Sequence, residues 1–85
     1  MPKIRPFLYI KKGCPWCDEA ENFLQGHEIP YDKVNVLSDS EAYERMQKIS
    51  GQTKTPTMEW GDELLVDFEV KQLEQFLIEH GVLKD

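Results

Sequence analysis

Cys14-Pro15-Trp16-Cys17 holds both cysteines of the chain, two residues apart. A C-x-x-C pair on its own admits three chemistries: two ligands of a metal site, two small buried hydrophobes, or a dithiol that cycles through a disulfide. Structural zinc wants four ligands. The chain has two thiolates to offer, and its two histidines, His27 and His80, both follow the carboxyl ends of expected helices. An imidazole there is favoured by the helix dipole and stands away from the cysteine pair. No metal site is expected.

Helical phase separates the two sulfurs. Pro15 suits the first position of a helix, Asp18 and Glu19 its first turn, and Gly26 its stop. Cys17, Ala20 and Leu24 then fall at i, i+3 and i+7, so Cys17 begins the stripe that faces the core. Cys14 stands before the first turn, where backbone N–H groups are unpaired. One sulfur is presented and the other lies behind it, as an attacking and a resolving thiol require.

Only a thiolate attacks, and a free thiol titrates near about 8.5. Lowering that by ~2 units takes ~2.7 kcal/mol, whereas a helix N-terminus supplies ~0.3–1 kcal/mol, or ~2 when partly buried. Lys11 or Lys12 and an S–H from Cys17 are candidates for the remainder. Asp18 and Glu19 oppose them, so a moderately depressed value is expected. The tract "DEAE" (18–21) reads as a solvated helix face.

Short elements without repeats, linkers or low-complexity tracts surround the pair. "PFLYI" (6–10) is an apolar run of strand length with Pro6 at its entry. "YDKVNV" (31–36) suggests a second strand. "SDSE" (38–41) resembles a capping box, Ser38 with Glu41, that opens a helix through about Ile49. "PTMEW" and "ELLVDF" read as strands joined at Gly61-Asp62. A final helix carries Val70, Leu73, Phe76 and Leu77 on one face and stops at Gly81. The order β-α-β-α-β-β-α predicts an α/β fold, a four-stranded mixed sheet with helices on both faces. Trp60 is expected in its core.

Eighty-five residues allow one domain, taken as 1–85. The chain is 40% hydrophobic and 31% charged, which excludes a disordered chain. A net charge of −6 without a basic stripe argues against nucleic-acid binding. No apolar run approaches a membrane span, and "MPKIRPFLYI" lacks a signal-peptide core. A cytoplasmic address is expected, where a cysteine pair is more often catalytic or metal-binding than structural.

"YIKKGCPWC" at the end of the first strand, "TKTPT" (53–57) before the third, and the element order together resemble the glutaredoxins, a small branch of the thioredoxin-fold superfamily. The resemblance spans nearly the whole chain. It implies that Cys14 is the nucleophile and Cys17 the resolving thiol, and that Pro56 is a cis-proline lying against the dithiol. It further implies that the Thr55 backbone pairs with a peptide or glutathione, that Lys11 neutralises a glutathione carboxylate, and that Trp16 is a contact surface. Relatives that hold glutathione tightly usually carry Gly-Gly where this chain has Val66-Asp67. Asp67 is expected to cap the last helix with its own carboxylate, in competition with glutathione.

The activity so implied is thiol–disulfide exchange on protein disulfides or glutathione mixed disulfides. No cofactor is bound, and glutathione serves as co-substrate. Alternatives are a donor fed by a flavoprotein thioredoxin reductase, and a dimer carrying a [2Fe–2S] cluster on Cys14 and glutathione. Retention of the second cysteine counts against the cluster carrier, and a monomer is expected.

Overall fold

Phe7–Ile10 forms strand β1 at the centre of the molecule, and its four residues bury side chains on both faces of the sheet. The computed structural model describes residues 5–83. After β1 come helix α1 (Pro15–Gly26), strand β2 (Asp32–Asn35), helix α2 (Ser40–Ser50), strands β3 (Thr57–Trp60) and β4 (Glu63–Val66), and helix α3 (Val70–Glu79). The sheet order is β2-β1-β3-β4. β1 pairs parallel to β2, with Leu8 opposite Lys33, and antiparallel to β3, with Leu8 opposite Met58. β3 and β4 form a hairpin. Gly61, the first residue of its two-residue turn, takes φ 59°, which glycine adopts without strain.

Alternation along β1 divides the core in two. Leu8 packs with Ala20 and Leu24 of α1 and with Leu73, Phe76 and Leu77 of α3. Its neighbour Tyr9 faces the other way, into a smaller cluster with Val36 and Met46 of α2. Helices therefore cover both faces, and the expected α/β architecture is the one observed. Trp60 is half-buried against the larger cluster, its ring centroid 6.1 Å from that of Phe76.

Two local expectations, both about helix caps, are corrected. The cap of α2 is Asp39 rather than Ser38. Asp39 Oδ1 accepts the Ala42 N–H at 3.1 Å, while the Ser38 hydroxyl donates to the Asn35 carbonyl in the preceding turn. A carboxylate one residue on caps as well as a hydroxyl, and it leaves serine for the turn. Gly26 is the last residue of α1, as expected. The helix reverses at Glu28 (φ 56°), with Ile29 N–H on the Leu24 carbonyl at 2.9 Å, a closure that buries Ile29 against Leu24. Asp67 does not cap α3. Glu69 holds the cap position, and its N–H donates to Gln72 Oε1 at 2.8 Å. Gly81, with φ 74°, closes α3 as expected.

Candidate functional site

Four segments meet at one edge of the sheet: the carboxyl ends of β1, β2 and β4 and the start of β3. After β1 the chain turns tightly, with the Cys14 N–H on the Lys11 carbonyl at 3.2 Å and Gly13 at φ 84°. The turn delivers Cys14 to the N-cap of α1, in extended backbone (φ −94°, ψ 109°), with Pro15 as the first helical residue. Its carbonyl starts the helix by accepting the Asp18 N–H. Its sulfur does what a capping oxygen does elsewhere, accepting the Cys17 N–H at 3.2 Å.

Neither cysteine is in a disulfide. Cys14 is half-buried, whereas Cys17 is 1% exposed under the first turn. Burial, reinforced by the hydrogen bond to Cys14, pushes the Cys17 thiol up to about 11. The two sulfurs thus differ in access as the helical phase predicts.

Thr55 closes the site from the β3 side. Its peptide bond to Pro56 is cis, and both residues are buried. Thr55 Oγ1 donates to Cys14 Sγ at 3.7 Å, and the Thr55 carbonyl lies 3.9 Å from the same sulfur. Behind it, the Pro56 carbonyl accepts the Asp67 N–H at 2.9 Å. The fold therefore gathers Cys14, Cys17, Thr55, Pro56 and Asp67. Lys11 joins through the turn, half-buried beside a cleft it shares with Val36, Leu37, Ser40 and Tyr43. Trp16 is 50% exposed in the first turn of α1, and Val66, opposite Thr57 in the hairpin, is exposed at the end of β4. The Asp67 carboxylate faces Lys54 at 3.9 Å, both largely in solvent, a pair that contributes little to stability.

One side chain near the site departs from the solvated face expected for residues 18–21. Asp18 and Glu19 are solvated, but Glu21 is only 9% exposed. Its Oε1 accepts from the Tyr31 hydroxyl and from Lys33 Nζ, each at 2.8 Å, which ties α1 to β2. The signal was present: Cys17, Ala20, Glu21 and Leu24 follow i, i+3, i+4, i+7. A matching network, Tyr9 and Arg45 on Glu59, joins α2 to the opposite face of the sheet.

His27 and His80 are the C-cap residues of α1 and α3. Among the described residues, no group of three or more His, Cys, Asp or Glu side chains is placed to hold a metal ion. No described helix is long and apolar enough to cross a membrane.

This fold, with a closely spaced cysteine pair at the start of its first helix, defines an oxidoreductase-like α/β protein of the thioredoxin type. The glutaredoxin family model matches residues 7–65, and the chain belongs to that family. It is 26% identical over 70 residues to an uncharacterised glutaredoxin-like 8.6 kDa protein in the rubredoxin operon of Clostridium pasteurianum, covering 82% of this chain and 93% of the relative. It is 23% identical over 82 residues to N-acetyl-S-hydroxy-L-cysteine reductase of Bacillus subtilis, covering 92% and 88%. Among solved structures, the thioredoxin-like protein BC3987 superposes with a TM-score of 0.78 at 26% identity, over 86% of this chain and all of that one.

Proposed function

We propose that the protein is a dithiol thiol–disulfide oxidoreductase. The Cys14 thiolate attacks a protein disulfide or a glutathione mixed disulfide, bonds to one of its sulfurs and breaks the substrate S–S bond, so that the other sulfur leaves as a thiolate. Cys17 then attacks Cys14 Sγ, which releases the sulfur bonded to Cys14 as a thiol and leaves a Cys14–Cys17 disulfide. Two glutathiones, or a flavoprotein reductase, return the pair to the dithiol. The observation that carries this reading is the asymmetry of the pair. Cys14 sits at a helix N-terminus, its sulfur accepting a backbone N–H at 3.2 Å, while Cys17 is 1% exposed behind it.

Trp16, Val66 and the Thr55 backbone supply a contact surface for the incoming disulfide, with Lys11 as its cation. One curated relative is a reductase of a small oxidised cysteine derivative, which adds small oxidised thiols to the possible substrates.

A second reading concerns the electron source. Val66 and Asp67 stand where tight glutathione binders have glycines, and Asp67 brings a carboxylate to that edge, so thioredoxin reductase becomes a competing donor. A coupled assay on one disulfide substrate separates the two, with glutathione and its reductase offered first and thioredoxin reductase second. Turnover from either source supports the dithiol reading, and turnover from neither contradicts it. The faster source names the partner.

A further inference from the structure

Thr55 meets Cys14 from a stretch of chain that no ladder holds. Residues 51–56 join α2 to β3 without regular structure. Among the described residues, the backbone hydrogen bonds of turns and loops reach Gly51 and Pro56 but none of the four residues between them. Yet Thr55 Oγ1 donates to Cys14 Sγ at 3.7 Å, a contact that lasts only while the loop keeps its shape.

One side chain supplies what the backbone does not. Gln52 Oε1 accepts the Lys54 N–H, and Gln52 Nε2 donates to Ser50 Oγ at 3.0 Å and to Thr57 Oγ1 at 3.1 Å. Thr57, the first residue of β3, is 0% exposed, and its own proton goes to the Lys54 carbonyl at 2.8 Å. Its oxygen can therefore only accept from Gln52, just as the Lys54 N–H can only donate. An amide, with one acceptor and two donated protons, satisfies both demands. It ties together the end of α2, the middle of the loop and the start of β3, and so brackets Thr55. Asp67 holds the far side through the Pro56 carbonyl.

We propose that Gln52 is a positioning residue of the dithiol site, which speeds the attack by Cys14 by holding the Thr55 hydroxyl against its sulfur. The role rests on the dithiol reading above. A hydroxyl that donates to sulfur favours thiolate over thiol, and only the thiolate attacks. In that step Cys14 Sγ bonds to one sulfur of the substrate as the substrate S–S bond breaks. The electron pair of the broken bond leaves on the other sulfur. The Gln52 amide has its partners within residues 50–57 and acts through Thr55, so its contribution exists only while the Thr55 hydroxyl is present.

The test follows that dependence. Cys17→Ser protein, which stops at the mixed disulfide, is reduced and mixed with excess hydroxyethyl disulfide at neutral pH. Acid-quenched samples are weighed by mass spectrometry, which gives the rate at which Cys14 acquires a substrate sulfur. In this background Gln52→Met keeps the length of the side chain and removes its hydrogen bonds. It is expected to slow the rate about fivefold, the effect of one ordinary hydrogen bond. Thr55→Val is expected to slow it by a similar factor. The two together are expected to be no slower than Thr55→Val alone, a non-additivity that marks a shared interaction. Thr57→Val, which keeps Gln52 but removes its acceptor on β3, is expected to match Gln52→Met. Melting temperatures are recorded beside the rates. Gln52→Met or Thr57→Val protein that melts earlier but reacts at the parental rate overturns the proposal, since the amide then braces the fold alone. Slowings that multiply to about twenty-five-fold in the double variant overturn it too. Cys17→Ser protein that never acquires substrate on Cys14 overturns the dithiol reading instead.

Discussion

The backbone N–H of Asp67 donates to the Pro56 carbonyl at 2.9 Å, joining the segment after β4 to the residue beside the dithiol. To make this bond Asp67 takes φ 50°, a left-handed conformation that glycine adopts freely and that aspartate tolerates better than most residues. The backbone therefore has a shape that suits glycine, while Val66 and the Asp67 carboxylate put bulk and charge on it. The carboxylate is not spent on α3, whose cap is Glu69. It remains free to repel a carboxylate of glutathione, apart from a loose contact with Lys54.

Glutathione is accordingly expected to bind at least about tenfold more weakly than in a glutaredoxin with Gly-Gly at these positions, a difference of ~1.4 kcal/mol. Val66→Gly combined with Asp67→Gly should recover much of it, read as the glutathione concentration that half-saturates reduction of the oxidised protein. A half-saturation unchanged by the double substitution contradicts this account of the edge.

Glu21 gives a prediction about stability. Glu21→Ala leaves the Tyr31 hydroxyl and Lys33 without their shared acceptor. Hydrogen bonds to a charged group contribute about 1.5–3 kcal/mol, less here because Lys33 is half in solvent. A loss of about 1 kcal/mol lowers the melting temperature of a domain this size by roughly 4–8 °C. Glu21→Gln should fall between the two. Melting curves that superpose would mean the network contributes nothing.

Residue types and phase made most of this architecture legible in advance. The apolar run at 6–10, the helix starting at Pro15, the turn at Gly61-Asp62 and the stripe from Leu73 to Leu77 are local signals, and each element appears within a residue or two of its expected place. The asymmetry of Cys14 and Cys17 followed from phase alone. What escaped depends on tertiary partners. Glu21 looks solvated because its neighbours are acidic, and only the approach of Tyr31, just before β2, and of Lys33 on it makes its burial tolerable. Asp67 looked like a cap because it precedes a helix. Its pairing with Pro56 across the hairpin cannot be read from spacing, and it moves the cap two residues on. The Thr55 hydroxyl, which donates to Cys14 Sγ, has no sequence signature beyond its place before Pro56.

Burial of Cys17 also sets a pH dependence. In the folded, reduced protein the thiol keeps its proton to about 11, whereas in the unfolded chain it titrates near 9.0. The folded state therefore holds this proton more tightly. The resulting stabilisation is complete below about pH 9 and is lost as pH rises toward about 11. Urea midpoints of reduced wild type should fall across this window relative to those of Cys17→Ala, in which the lysine and tyrosine titrations are shared. Midpoints that run parallel would mean that Cys17 titrates as a solvated thiol.

If Cys14 attacks and Cys17 resolves, the trapped substrate is held by Cys14. Cys17→Ser and Cys14→Ser are each reduced, offered one disulfide substrate, quenched with acid and mapped by mass spectrometry. Cys17→Ser is expected to accumulate a mixed disulfide on Cys14, while Cys14→Ser accumulates none and loses all exchange activity. In reduced wild type, alkylation should likewise mark Cys14 well before Cys17. A mixed disulfide trapped on Cys17, or alkylation that reaches Cys17 first, would contradict the assignment.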